Sequence, residues 1–443
     1  MERKRILSLI LLLALLLTAT ACGEAQSGVI TNNGEPTVLT LWVYPMGDWQ
    51  NETAVHALLH GFADTRPDVT VAVTYLSEDT ADSDVSAAIE CGECPDLLLG
   101  SLSQLQHAQR RGALTMDLGG LCKSGVYPAV KIACTDSDGL FYALPAVMDM
   151  TCMAINYEMF RNADALQYID ESGHSWTTEG FFKAVKALQK LDQSPDVLAL
   201  YCGGQNGDEG TRALVTNLYG GSFTNEAHSR YSLDSEENIT ALTELQKQPG
   251  VIFDKNIVAQ DENILFAQEQ LAMSLCWGSG NELPDKFTAF PMAYPTPEGD
   301  ARMPGEVWGF SCFDNGNEDT LEAAKALLTY LTDQDAVYGK LVKLCGHYGV
   351  RKYNGAVADD FSAFMPMMGS YDLSTPGFAI ARGEWYELLQ RLGSGADVAV
   401  EIETFCTNAN AAAREMECKR NLSRRIDAHE IIVAERIETF RHY

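Results

Sequence analysis

The chain has 443 residues, room for two or three domains at roughly 100–200 residues each. Hydrophobic residues make up 46% and charged residues 21%, an ordinary globular composition that excludes a fully disordered, collagen-like or coiled-coil chain. With 32 Lys and Arg against 61 Asp and Glu the formal net charge is -29, so phosphate-rich partners are repelled and nucleic-acid binding through charge is not expected.

The amino terminus sets the compartment. Arg3, Lys4 and Arg5 precede an apolar stretch from Ile6 to Leu17. Twelve residues rise only about 18 Å as a helix, short of a ~30 Å hydrocarbon core, so residues 1–21 read as a secretory signal and not a span. The closing Ala19-Thr20-Ala21-Cys22 resembles a bacterial lipobox. That resemblance implies a diacylated Cys22 as the mature amino terminus, and two acyl chains suffice for stable anchoring. The expected location is the cell membrane, lipid-anchored and facing away from the cytoplasm. An ordinary signal peptide with a Cys at this place is the alternative. Residues 22–36, rich in Gly, Asn, Ser and Glu, read as a flexible tether.

Eleven Cys remain after Cys22. Cys152, Cys276 and Cys312 lie in apolar runs and read as small buried hydrophobes. The Cys91-Gly92-Glu93-Cys94 motif is followed by Pro95 and a strand, not by a helix whose amino terminus lowers a thiolate pKa, so neither redox chemistry nor a zinc site is expected there. The disulfide pairing stays open.

Val38 to Val43 is a near-continuous apolar run, as in a strand buried on both faces. Val55, Leu58, Leu59 and Phe62 recur at helical spacing. Val69 to Leu76 reads as a strand, 84–90 as a short helix, Asp96 to Leu99 as a buried strand and Leu102 to Arg111 as a helix. Such alternation predicts a parallel sheet flanked by helices. Phe141 to Leu144 and Thr151 to Asn156 read as extended. Thr177 is the expected cap of a helix with Phe181, Phe182, Val185 and Leu188 on its buried face. Strands are expected around Leu271 to Trp277 and Val307 to Phe313, and an amphipathic helix through Leu321, Ala324, Leu328 and Leu331. Residues 419–443 carry six Lys/Arg against four Asp/Glu, with Leu422, Ile426, Val433, Ile437 and Phe440 on one helical stripe. That tail reads as a terminal helix packed on the body, or as a helix for a partner.

Several segments, in order, resemble the extracellular solute-binding proteins of bacterial ABC importers, family 1, the maltose- and oligosaccharide-binding type. They are Val38 to Val43, Pro95-Asp96-Leu97-Leu98, Leu144-Pro145-Ala146 with Ala154-Ile155-Asn156-Tyr157, the helix start from Ser175, Leu265 to Met273, and Gly305 to Phe310. Glu269 and Gln270 stand where Gly and Lys are usual in that family, and Glu306 replaces a Gly. The resemblance covers most of 37–415 and implies an α/β, two-lobed periplasmic-binding-protein-like fold of type II. Its lobes would be 37–145 with 306–347 and 146–305 with 348–418, joined by a hinge. It implies capture of a solute between lobes and delivery to an ABC permease, by a monomer without cofactor or metal and without catalysis.

A sugar presents apolar C–H faces and a ring of hydroxyls, so its site needs aromatic platforms with carboxylates and amides beside them. The expected ligand-binding residues are Asp48 and Trp49 in the loop after the first strand, Ser101 and Gln104 after the strand that starts at Asp96, and Asp149 in the first crossover. Trp277 before Gly278, Glu306 and Trp308 in the second crossover, and Tyr371 complete the set. Helix capping is the competing role for Ser101 and Gln104. Acidic groups such as Asp48 and Asp149 leave open a cationic or amino-acid-like solute, and the basic tail leaves open a ligand-sensing scaffold lipoprotein. No nucleophile elbow, zinc-protease motif or phosphate-binding loop is found in the sequence, so an enzyme is not expected.

Overall fold

The structure is a computed structural model. It describes residues 27–30 and 36–416, apart from 137, 192–195, 204–206, 357–358, 360 and 370–374, and residue 418. The signal segment, Cys22 and the tail 419–443 therefore lie outside the described residues.

The elements run β1 (Ser27–Ile30), β2 (Thr37–Val43), α1 (Glu52–Thr65), β3 (Val69–Tyr75), α2 (Ala81–Glu90), β4 (Leu97–Ser101), α3 (Leu102–Arg110), α4 (Pro128–Ala133), β5 (Leu144–Met150) and β6 (Cys152–Asn156). Then follow α5 (Tyr157–Asn162), α6 (Thr178–Leu188), β7 (Leu198–Tyr201), α7 (Glu209–Leu218), α8 (Glu236–Lys247), β8 (Val251–Asp254), α9 (Ala259–Ala267), β9 (Met273–Trp277) and β10 (Ala289–Met292). The chain continues with β11 (Gly305–Cys312), α10 (Glu318–Asp333), α11 (Asp335–Cys345), β12 (Tyr348–Gly349) and α12 (Phe378–Gly393). Residues 398–416 form a last helix, α13.

The chain divides into two compact units. The first holds the described residues up to Ser124, Phe141–Val147 and Trp308–Gly355. The second holds Gly125–Leu140, Met148–Val307 and the described residues from Ala356 onward. Two of these divisions fall two residues after the expected crossovers, and the third falls at Gly355 where 347 was expected. Residues 125–140, expected in the first unit, belong to the second.

One seven-stranded sheet has the order β1-β3-β2-β4-β11-β5-β12. Strands β2, β3 and β4 are parallel, whereas β11 runs antiparallel to β4. Leu39, Leu41, Val43 and Leu97 to Leu99 are fully buried, as the continuous apolar runs predicted. One carboxylate ties the two central strands together. Asp96, 7% exposed, accepts at Oδ2 from the Thr40 backbone N–H and from its Oγ1, both at 2.8 Å. Its own N–H donates to Thr40 Oγ1. Helix α1 is capped by Asn51, whose side chain accepts from the Ala54 N–H, and it buries Val55, Leu58, Leu59 and Phe62. Part of the expected tether is ordered differently: Ser27–Ile30 pairs antiparallel with Val71 to Thr74 along the edge of β3. An edge strand leaves backbone N–H and C=O groups open, and any extended segment nearby can satisfy them.

The second unit contains the sheet β10-β6-β9 and the parallel pair β7-β8. Thr177 caps α6 as expected, accepting from the Gly180 N–H at 3.1 Å. Phe181, Val185 and Leu188 are buried, but Phe182 is only half-buried, its ring meeting Phe181 edge-on. Asp208, fully buried at the start of α7, is held by the guanidinium groups of Arg212 and Arg382 at 2.6 and 2.7 Å.

The turn after α9 explains a departure noted in the sequence. Glu269, where relatives by resemblance carry Gly, has φ +62°. That left-handed conformation is free for Gly and costs an L-residue with a Cβ roughly 1 kcal/mol. Glu269→Gly should therefore leave the fold intact and change stability by no more than about 1 kcal/mol, in the stabilising direction; a denaturant midpoint measures it.

Glu262 of α9 is fully buried. Its Oε1 accepts from the Leu275 N–H at 2.5 Å, and its Oε2 lies 2.9 Å from Ser274 Oγ. Ser274 Oγ also lies 2.8 Å from Asn263 Oδ1, and Asn263 Nδ2 is committed to the Cys276 carbonyl. One hydroxyl hydrogen cannot serve two acceptors, so a proton on Glu262 completes the network. Burial pushes this carboxyl up to about 8, in the same direction. The unfolded carboxyl releases its proton near 4.5, so unfolding releases a proton between those values and stability falls as pH rises through that window. Thermal midpoints of the unaltered chain should fall from pH 5 to pH 8 more steeply than those of Glu262→Gln, which stays neutral throughout.

Candidate functional site

In the first unit the site grows from the carboxyl end of α11. Gly346 takes φ +73° and returns its N–H to the carbonyls of Val342 and Lys343. The Leu344 carbonyl points outward instead and accepts from the Asp48 N–H at 2.8 Å. The loop after β2 is thereby pressed onto the helix end. Gly47, at φ +49°, has no space for a Cβ, which would collide with the main chain of Leu344 and Cys345. Trp49 follows into a buried position, 2% exposed, and donates from Nε1 to Cys345 Sγ at 3.5 Å. Burial pushes the Cys345 thiol up to about 12, so the sulfur that accepts is a neutral thiol.

The residue after Gly346 is His347. Its imidazole stacks on the indole of Trp308, with centroids 4.1 Å apart and planes 11° apart. Trp308 lies opposite Ser101 in the β11–β4 register. The pleat of β11 buries Val307 and leaves Glu306 exposed and Trp308 half-exposed on the other face. Ser101 caps α3 in a reciprocal box: its N–H donates to Gln104 Oε1 at 2.8 Å, and its Oγ accepts from the Gln104 N–H at 3.5 Å. Ser101 Oγ lies 2.9 Å from the exposed Ser103 hydroxyl. The carboxyl ends of parallel strands β2 and β4 thus bring together the 44–51 loop, the α3 cap, Trp308 and His347. That edge is where open α/β sheets bind ligands.

In the second unit Asp149 is the last residue but one of β5. Its Oδ1 accepts from the Met150 N–H at 2.8 Å, and its two oxygens accept from Ser279 Oγ at 3.3 and 3.1 Å. Gly278 donates its N–H to Asn281 Oδ1 at 2.7 Å, which folds the Gly-Ser-Gly turn so that Ser279 faces Asp149. Gly305 abuts the Asp149 carbonyl and Met150, where a Cβ would not fit.

The expected residues fare unequally. Asp149, Glu306 and Trp308 keep surface open to solvent. Asp48 is exposed and takes a hydrogen bond from Asn51 Nδ2 at 3.0 Å. Ser101 and Gln104 are engaged in helix capping, the competing role. Trp49 and Trp277 do not present free faces. Trp277 is 2% exposed because it shares a strand face with the buried Met273 and Leu275, and Phe266 of α9 meets its ring edge-on at 5.4 Å. Tyr371 lies outside the described residues. His347 was not singled out, because its only local signal is the helix-ending Gly before it. Burial pushes the Cys94 thiol up to about 12, away from an activated thiolate. Among the described residues no group of three His, Cys, Asp or Glu is placed to hold a metal ion, and no helix is long and apolar enough to cross a membrane.

Residues 57–352 match the family described as bacterial extracellular solute-binding protein. The chain belongs to that family. The family consists of binding proteins, so this solute-binding protein retains its ligand and does not convert it. No curated protein matches the sequence. Solved structures with the same fold include the cyclic α-maltosyl-1,6-maltose binding protein from Arthrobacter globiformis, at 17% identity and TM-score 0.67, covering 86% of this chain and 100% of that one. The sugar-binding protein MalE from Xanthomonas citri is 13% identical at TM-score 0.68, over 87% of this chain and 99% of its own. A cyclo/maltodextrin-binding protein complexed with maltotetraose is 16% identical at TM-score 0.64, over 86% and 98%. The expected two-lobed α/β fold is therefore observed.

Gly47→Ala tests the seating of the loop on α11. The added Cβ and the positive φ should together cost more than about 1 kcal/mol, read as a lower denaturant midpoint. Trp49 emission should shift to longer wavelength as the ring leaves its buried place.

Proposed function

We propose that this solute-binding protein captures a carbohydrate, an oligosaccharide or glycoside, and delivers it to an ABC-type permease. The observation that carries this reading is Trp308. It is a partly exposed aromatic ring backed by a second ring, on the strand position opposite Ser101 at the start of α3, where the Ser103 hydroxyl is exposed. In the second unit, taken by itself, Asp149 with Ser279 is a carboxylate of the kind that takes paired sugar hydroxyls. The sugars named for the structural relatives support the same ligand class. Diacylated Cys22 holds the mature chain to the outer face of the cell membrane, and Cys22→Ala should release it into the medium.

A second reading, a cationic or amino-acid-like solute, is favoured by the carboxylates of Asp149 and Glu306 in the second unit, both open to solvent. A thermal-shift panel separates the two. Ligand at 100 times its Kd adds about 2.7 kcal/mol of stability. At least one neutral saccharide should raise the midpoint, polyamines should not, and Trp308→Ala should reduce affinity for that saccharide about tenfold or more. Stabilisation by polyamines alone, abolished by Asp149→Asn, overturns the carbohydrate reading.

A further inference from the structure

We infer that His347 is a positioning residue for the ligand platform: its imidazole covers one face of Trp308 and fixes the indole so that a single, opposite face receives an apolar ring of the ligand. The inference rests on the carbohydrate reading for the nature of that ligand, but not for the geometry.

Two rings with centroids 4.1 Å apart and planes 11° from parallel are stacked, so the imidazole takes the place of a ligand ring on that side of the indole. An unsupported Trp on a strand can rotate about χ1 and χ2 between staggered and broad wells. A ring that packs against one face removes most of those alternatives, and less entropy is then lost when a ligand settles on the other face. The backbone on both sides is fixed independently. Trp308 is held by the β11–β4 ladder opposite Ser101. His347 leaves α11 at the left-handed Gly346, where an added Cβ would lie 3.6 Å from the Cα of Gly47. Tyr338, about two turns earlier in α11, donates its hydroxyl to the Ala146 carbonyl of β5 at 2.8 Å and accepts from the Val350 N–H at 2.8 Å. The backbone of His347 is therefore bracketed by a capped helix end and by the anchored Val350, and its ring is placed by the stack on Trp308 itself.

The test uses the full chain with His347→Ala, His347→Phe and Trp308→Phe. The contribution of Trp308 to acrylamide quenching is the difference between each chain and its Trp308→Phe counterpart. Maltotetraose and the saccharide found by the thermal-shift panel serve as ligands. His347→Ala should raise quenching of Trp308 at least twofold and weaken saccharide binding about tenfold, with an unchanged thermal midpoint for the ligand-free chain within a few degrees. His347→Phe, which keeps a flat ring, should restore both. Unchanged quenching in His347→Ala overturns the inference, whatever the ligand. Raised quenching with unaltered affinity also overturns it, since the ring would then be covered without being positioned. If no saccharide binds the unaltered chain, the carbohydrate reading fails alone, and the quenching arm still decides whether His347 sets the indole.

Discussion

A helix ends with carbonyls that lack partners, and at α11 one of them organises the first unit. Leu344 accepts from Asp48, and beside it Trp49 donates to Cys345, so the loop after β2 lies against the helix end. Gly47 is required for that approach, Trp49 is buried by it, and the next residue past the cap is the imidazole that stacks on Trp308. Three stretches far apart in sequence, 47–49, 308 and 347, thus gather around one helix end. The net worth of the hydrogen bond from Asp48 to Leu344 is only about 1 kcal/mol, but a shared geometric condition matters more here than its energy.

The second unit relies on a different constraint. Behind Trp277 the strand β9 is held by a buried acid and a chain of hydroxyl and amide groups rather than by apolar packing alone. Such a network is costly if any member lacks a partner, and the proton on Glu262 is what completes it. The same strand then turns at Gly278 and places Ser279 against Asp149. A polar interior therefore fixes where a surface carboxylate finds its hydroxyl.

Much of this was legible in the sequence because it depends on local patterns. The unbroken apolar runs marked β2 and β4, helical spacing marked α1 and α10, and Thr177 marked the start of α6. Asp96 was readable as an ordering residue, since a carboxylate beside a buried strand needs donors. The direction of an individual ring was not readable. Trp277 and Trp308 both sit in apolar strands near glycines, yet one is covered by Phe266 and the other keeps a face half open. That difference is made by α9, whose placement no pattern within β9 records. His347 was missed for a similar reason: its partner is 39 positions away in the chain. The strand Ser27–Ile30 was read as tether because it is short, polar at its start and defined only by its pairing with β3.

That strand alters how the molecule would be moored. A tether over 22–36 allows an excursion of roughly 50 Å between lipid and domain, whereas pairing from Ser27 leaves five peptide steps from Cys22, about 17 Å at full stretch. An acylated chain of this build would hug the bilayer. Its search for a transporter would then be confined to a thin layer, where lateral diffusion replaces encounters from bulk solvent.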